Sequence, residues 1–86
     1  MKYSRGNGVL FRAVPGYLAL AKADGTIAEV HGPGADVWFE LAQPIDLQQI
    51  VDNLARRYLG DRITLLEDVR NLLQNLGEGG YVTQDG

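Results

Sequence analysis

The stretch Thr26-Ile27-Ala28-Glu29-Val30-His31-Gly32-Pro33-Gly34-Ala35-Asp36-Val37-Trp38 changes its period halfway along. As far as Val30 it alternates as a strand does, with Ala28 and Val30 on one face and Ile27 and Glu29 on the other. Gly32-Pro33-Gly34 interrupts that alternation. Beyond it, Val37, Trp38 and Leu41 return at helical spacing.

Upstream, two more short strands are predicted, over residues 9–14 and 17–22. Pro15-Gly16 separates them, and Ala23-Asp24-Gly25 separates the second from the strand at 26–30. Asp-Gly supplies the positive φ angles of tight hairpin turns, so a three-stranded antiparallel meander follows. Downstream, three helices are predicted. The first covers residues 35–42 and stops before Pro44. Asp46 and Gln49 make a capping box for the second, whose apolar positions Leu47, Ile50, Val51, Leu54 and Tyr58 run on to Gly60. Thr64 and Glu67 cap the third, which carries Leu65, Leu66, Val69, Leu72, Leu73 and Leu76 before Gly77. Residues 79–83 offer a further short strand or wing. The order gives an α+β, winged helix-turn-helix-like fold: a three-stranded antiparallel sheet followed by three helices. One sheet edge is left open, and an open edge must be covered, charged or used.

The 86 residues suffice for one domain, taken as 1–86. A chain of this size buries only about 60–65% of its unfolded surface, so its stability is modest. Eight Lys and Arg stand against eleven Asp and Glu, a net charge of -3, which disfavours a nucleic-acid partner. There is no cysteine, hence no disulfide, thiolate metal ligand or thiol nucleophile. The start lacks a signal-peptide core, and no apolar run reaches membrane-spanning length. The expectation is a cytoplasmic protein without a membrane partner.

Catalytic patterns are missing as well. His31 is the one histidine, so no His pair can hold zinc, and neither a metal nor a cofactor is expected. A serine triad would need Ser4, in an N-terminus expected to be mobile, together with His31. His31 reads better as a turn residue ahead of the first helix. Glu67 and Asp68 form a carboxylate pair expected in the first turn of the third helix, where the dipole favours acids. Neither Gly32-Pro33-Gly34 nor Gly77-Glu78-Gly79-Gly80 has the spacing of a phosphate loop. The third helix reads Glu67-Asp68-Val69-Arg70 at its centre, one cation against two anions, which suits DNA poorly. Its apolar arc spans about 120° and is mostly core. Asp68, Leu65 and Leu72 border that arc. A half-exposed apolar border beside an open strand is the arrangement used for peptide binding by strand addition.

Several strings resemble the PqqD-like family of leader-peptide recognition elements. The stretch from Ala28 through Trp38 to Leu41 is similar to its junction of third strand and Val-Trp helix. Leu47 through Tyr58 resembles its second helix. Glu67-Asp68-Val69 through Leu76, followed by Gly80-Tyr81-Val82, resembles its closing pattern. The resemblance implies a non-catalytic protein that binds the leader segment of a ribosomal precursor peptide as an extra strand. On this basis the leader pairs with Thr26, Ile27, Ala28, Glu29 and Val30 and lies against Leu65, Asp68, Val69, Leu72 and Leu76. Ile27 and Glu29 flank it on the outer face.

Family members of pyrroloquinoline quinone synthesis usually carry Pro-Glu before the third strand and Asn near its end. This chain has Asp24-Gly25 and His31 there. Gly16-Tyr17-Leu18 and the Gly-Pro-Gly helix start are more similar to the standalone leader-binding protein of lasso-peptide clusters. A leader peptidase and a ring-closing cyclase are then the implied further partners. The alternatives are a peptide chaperone of pyrroloquinoline quinone or another ribosomal-peptide pathway, and a winged-helix DNA-binding regulator. The expected oligomeric state is a monomer or a weak homodimer.

Overall fold

A computed structural model describes residues 1–85; Gly86, the last residue of the expected domain, lies outside the described residues. The chain runs β1 (Lys2–Arg5), β2 (Leu10–Val14), β3 (Tyr17–Ala21), β4 (Ile27–Val30), α1 (Pro33–Glu40), α2 (Leu47–Ala55), α3 (Arg62–Glu78) and β5 (Val82–Asp85). Strands β2, β3 and β4 form the expected antiparallel meander, in that order. With three helices after it, this is the α+β, winged helix-turn-helix-like arrangement read from the sequence.

A second, two-stranded sheet was not expected. β1 pairs antiparallel with β5, from Lys2↔Asp85 to Arg5↔Val82. Ser4, expected in a mobile terminus, is therefore held in a strand. No local pattern announces β1, because its partner lies at the other end of the chain. Arg5 fixes the ribbon to the core: its guanidinium donates to the Trp38 carbonyl oxygen at 3.0 and 3.2 Å. The same group lies 4.7 Å above the Phe11 ring and 4.9 Å from that of Trp38. Partial burial lowers its pKa from the ordinary arginine value.

Helix boundaries differ from expectation in instructive ways. α1 begins at Pro33, two residues early, because Gly32 takes a positive φ of 57° as N-cap and proline suits the first helical position. Asp46 caps α2 as expected, accepting from the Gln49 backbone N–H at 2.7 Å. The Gln49 side chain does not return to Asp46; it donates to Asn53 at 2.9 Å. α2 ends at Ala55, so Tyr58 lies in the connection rather than on the helix. Asp61, not Thr64, caps α3: its carboxylate accepts from the Ile63 N–H and the Thr64 hydroxyl, each at 3.1 Å. Glu67 and Asp68 consequently sit in the second turn, where the dipole argument loses force.

The core gathers Leu18, Leu20 and Val30 from the sheet, Val37, Trp38 and Leu41 around α1, and Ile50, Val51 and Leu54 from α2. Val69, Leu73 and Leu76 of α3 join Tyr81 and Val82 to complete it. Full burial of such side chains is worth about 1.5–3 kcal/mol each before entropy is charged. None of the helices described is long and apolar enough to cross a membrane.

Candidate functional site

Among the described residues β4 is the edge of its sheet, with β3 on one side and no strand on the other. Lys22 N–H donates to the Thr26 carbonyl oxygen at 2.9 Å, which fixes the phase of the β3–β4 ladder. Alternation then turns the backbone groups of Ala28 and Val30 toward β3, and those of Ile27 and Glu29 toward the open edge. Thr26 itself is not in the strand. Its N–H donates to Asp24 Oδ1 at 2.9 Å, making it part of the turn. Thr26, expected as the first residue of the strand, is corrected to a turn residue on that ground.

Beside the Val30 end of this edge lies a cleft of about 220 Å³ between α1 and α3. Leu65, Asp68, Val69 and Leu72 form its α3 wall, and Pro33, Gly34 and Val37 its α1 wall, with His31 at the rim. A second cavity of about 320 Å³ extends it past Tyr58, Leu59 and Gly60. Pro33, Leu65 and Asp68 line both, so the two make one groove along the first half of α3. The walls approach closely because Gly34 has no side chain. A Cβ there would collide with Val30 Cγ1 and come within 3.3 Å of Leu72 Cδ2.

The structure brings Leu65, Asp68, Val69 and Leu72 together at this cleft. Leu65 and Leu72 are half-buried, Asp68 is exposed, and Val69 is a buried floor residue. Leu76 is not among them: it is buried in the core. Ala28 and Val30 turn inward, Val30 fully buried and Ala28 half-buried. Ile27 and Glu29 are exposed on the outer face, where Ile27 borders a shallow depression with Leu10, Phe11 and Arg12.

Four cleft residues escaped the sequence reading: His31, Pro33, Gly34 and Val37. His31 opens the turn into α1, its carbonyl oxygen accepting from the Gly34 N–H at 3.1 Å, and it also lines the cleft. Its Nε2 lies 3.4 Å from Glu29 Oε2, and its ring packs at 5.5 Å from that of Tyr17. Position one residue past an edge strand was the available signal for it. Asp68, the carboxylate of this cleft, forms no ion pair among the described residues. The arrangement offers backbone donors and acceptors along an edge, an apolar slot beside it, and one carboxylate free to accept. Those are means of holding an extended chain. Among the described residues no group of three or more His, Cys, Asp or Glu is placed to hold a metal ion.

Two solved structures share the fold. One, TbiB1 in complex with the TbiA(beta) leader peptide, superposes with a TM-score of 0.85 at 21% identity, over 96% of this chain and 98% of that one. The other, a lasso peptide synthetase B1 complexed with the leader peptide, gives 0.83 at 14% identity, over 98% and 100%. None of the curated proteins matches the chain significantly. The profile of the family described as coenzyme PQQ synthesis protein D (PqqD) matches residues 16–82, from the start of β3 through α3 to the first residue of β5, and the chain belongs to that family.

Proposed function

We propose that this protein binds the leader segment of a ribosomal precursor peptide, as an added strand on β4 with side chains in the α1–α3 cleft. The observation that carries the reading is the open edge at Ile27 and Glu29 running into a slot walled by Leu65, Asp68 and Leu72. Backbone pairing along the edge supplies affinity for any extended chain, and the slot selects among side chains. Both structural neighbours are complexes with leader peptides, which supports the same role here.

On this reading the protein performs no chemistry. It presents the precursor to a separate leader peptidase, and to a cyclase, in the cytoplasm where the precursor is made; lasso-peptide biosynthesis is the pathway favoured. The full chain acts as one domain.

Titration with a synthetic leader and, separately, with duplex DNA tests the reading. The expected result is saturable peptide binding at micromolar or tighter concentration and no DNA complex. DNA binding that falls steeply with salt, with no peptide binding, contradicts it.

A further inference from the structure

The three-stranded sheet has two faces, and only one meets the core. Leu18, Leu20 and Val30 are buried in one cluster with residues of all three helices. By alternation the residues between them point the other way. The register puts Leu10, Ala21 and Ile27 in one row of that outer face, Arg12, Ala19 and Glu29 in the next, and Val14 and Tyr17 in a third. Leu10 is 72% exposed and Ile27 69%, on either side of Ala21. The alanines of β3 leave a hollow of about 310 Å³ that Leu10, Arg12 and Ile27 help to line. Two large apolar side chains flanking an open hollow mark an interaction surface.

The charges on this face decide what it fits. Arg12 and Glu29 stand at opposite ends of the middle row, one on each outer strand. Both are exposed. Among the described residues Arg12 forms no ion pair, and Glu29 meets only the His31 ring, at 3.4 Å. The three rows hold no other Lys, Arg, Asp or Glu, and Asp24 accepts from the Thr26 N–H in the turn beyond them. The face is thus balanced in charge and carries its two signs on opposite strands.

Such a face can pack on itself only if a two-fold axis in the contact plane brings complementary groups together. An axis across the strands, centred on the middle row, sets each strand against its own copy, so Arg12 meets Arg12 and Glu29 meets Glu29. An axis along β3 exchanges β2 and β4 instead. It sets Arg12 against Glu29 and Leu10 against Ile27, each twice, while Ala19 and Ala21 oppose their own copies. The strands of the two sheets then run alongside one another, the aligned class of sheet packing. Leu10 and Ile27 of each copy lean into the hollow that the alanines of the other leave.

We infer that this face is a homodimer interface, on which a second copy of the chain packs sheet against sheet about a two-fold axis along β3. Three strands of four or five residues give a footprint of roughly 14 by 17 Å. That is small beside the about 800 Å² per partner of a stable complex, so the dimer is weak and reversible. It leaves the backbone edge of β4 and the α1–α3 cleft uncovered, and it stands or falls apart from the leader reading.

Sedimentation of the full chain without leader, from about 10 μM to about 1 mM, tests the inference. The expected result is a reversible monomer–dimer equilibrium. Arg12→Glu and Glu29→Arg each set like charges together at both contacts, and each should weaken self-association about tenfold or more. Mixed in equal amounts, the two variants regain an opposite pair at each contact and should associate as the wild type does. Thermal melts check that both are folded. If either melts too early to use, Leu10→Ser decides: it removes apolar area and no charge, and should also weaken the dimer about tenfold. A chain that stays monomeric at about 1 mM overturns the inference, as does a dimer that the charge reversals leave unchanged. It is equally overturned if the mixed variants fail to associate, since Arg12 and Glu29 are then not partners across the axis.

Discussion

Leu72 of α3 closes over Gly34 of α1, so that a single added carbon at Gly34 would lie 3.3 Å from Leu72 Cδ2. The contact couples the β4–α1 junction to the wall of the proposed leader cleft, because the same carbon would collide with Val30. Gly34→Ala forces Val30 and Leu72 aside. Overpacking of this kind costs about 1–3 kcal/mol. The expected outcome is a lower denaturation midpoint together with weaker leader binding, measured by chemical denaturation and by peptide titration.

Neighbouring prolines on β4 should separate binding from folding. At Glu29, proline removes an N–H that faces the open edge, so leader affinity falls by about tenfold or more while the hairpin remains. At Ala28, proline removes an N–H directed at β3, so the sheet itself loses a bond and the protein melts earlier. Circular-dichroism melts and titrations of both variants check the contrast.

On α3 the division runs between Leu72 and Leu76. Leu72 is half-buried in the cleft wall, and Leu72→Ala should weaken the leader by about 1–2 kcal/mol, roughly tenfold. Leu76 is core, so Leu76→Ala should cost about 2–5 kcal/mol of stability. At temperatures where the Leu76 variant is folded, its affinity should match the wild type. Arg56→Ala, on an exposed position away from the cleft, should change neither quantity.

Acid should loosen the turn that carries β4. Hydrogen bonding from Thr26, side chain and backbone N–H together, holds the Asp24 carboxyl below the usual carboxylate range. A carboxyl whose folded pKa is depressed stabilises the fold above its unfolded pKa and loses that contribution as pH falls through the folded value. Asp24→Ala should therefore lower the melting temperature at pH 7, and the gap to wild type should narrow as pH falls below about 4. Thermal melts of both proteins across that range give the comparison.

Much of the fold was legible because its signals are local. Asp24-Gly25 announced a hairpin, Asp46 and Gln49 announced a helix start, and the leucines of α3 announced a core face. The misses arise where a structure-making partner is distant or where two local signals compete. β1 is recognisable only beside β5, at the far end of the chain. Asp61 precedes Thr64 and takes the cap from it. Asp68, Leu65 and Leu72 could be picked out as the border of an apolar arc. His31 offered only its position one residue past the edge strand, and Pro33 and Val37 offered nothing, since their place in the cleft comes from how α1 crosses α3 and not from any spacing within α1.

The central claim is that an extended leader pairs with the open edge of β4. Amide hydrogen exchange of the full chain, with and without a saturating synthetic leader, addresses it residue by residue. The account predicts that the Ile27 and Glu29 amides, which face the edge, become strongly protected on binding. Ala28 and Val30, already bonded to β3, should change little. Saturable binding that leaves Ile27 and Glu29 exchanging as fast as in the free protein would contradict it.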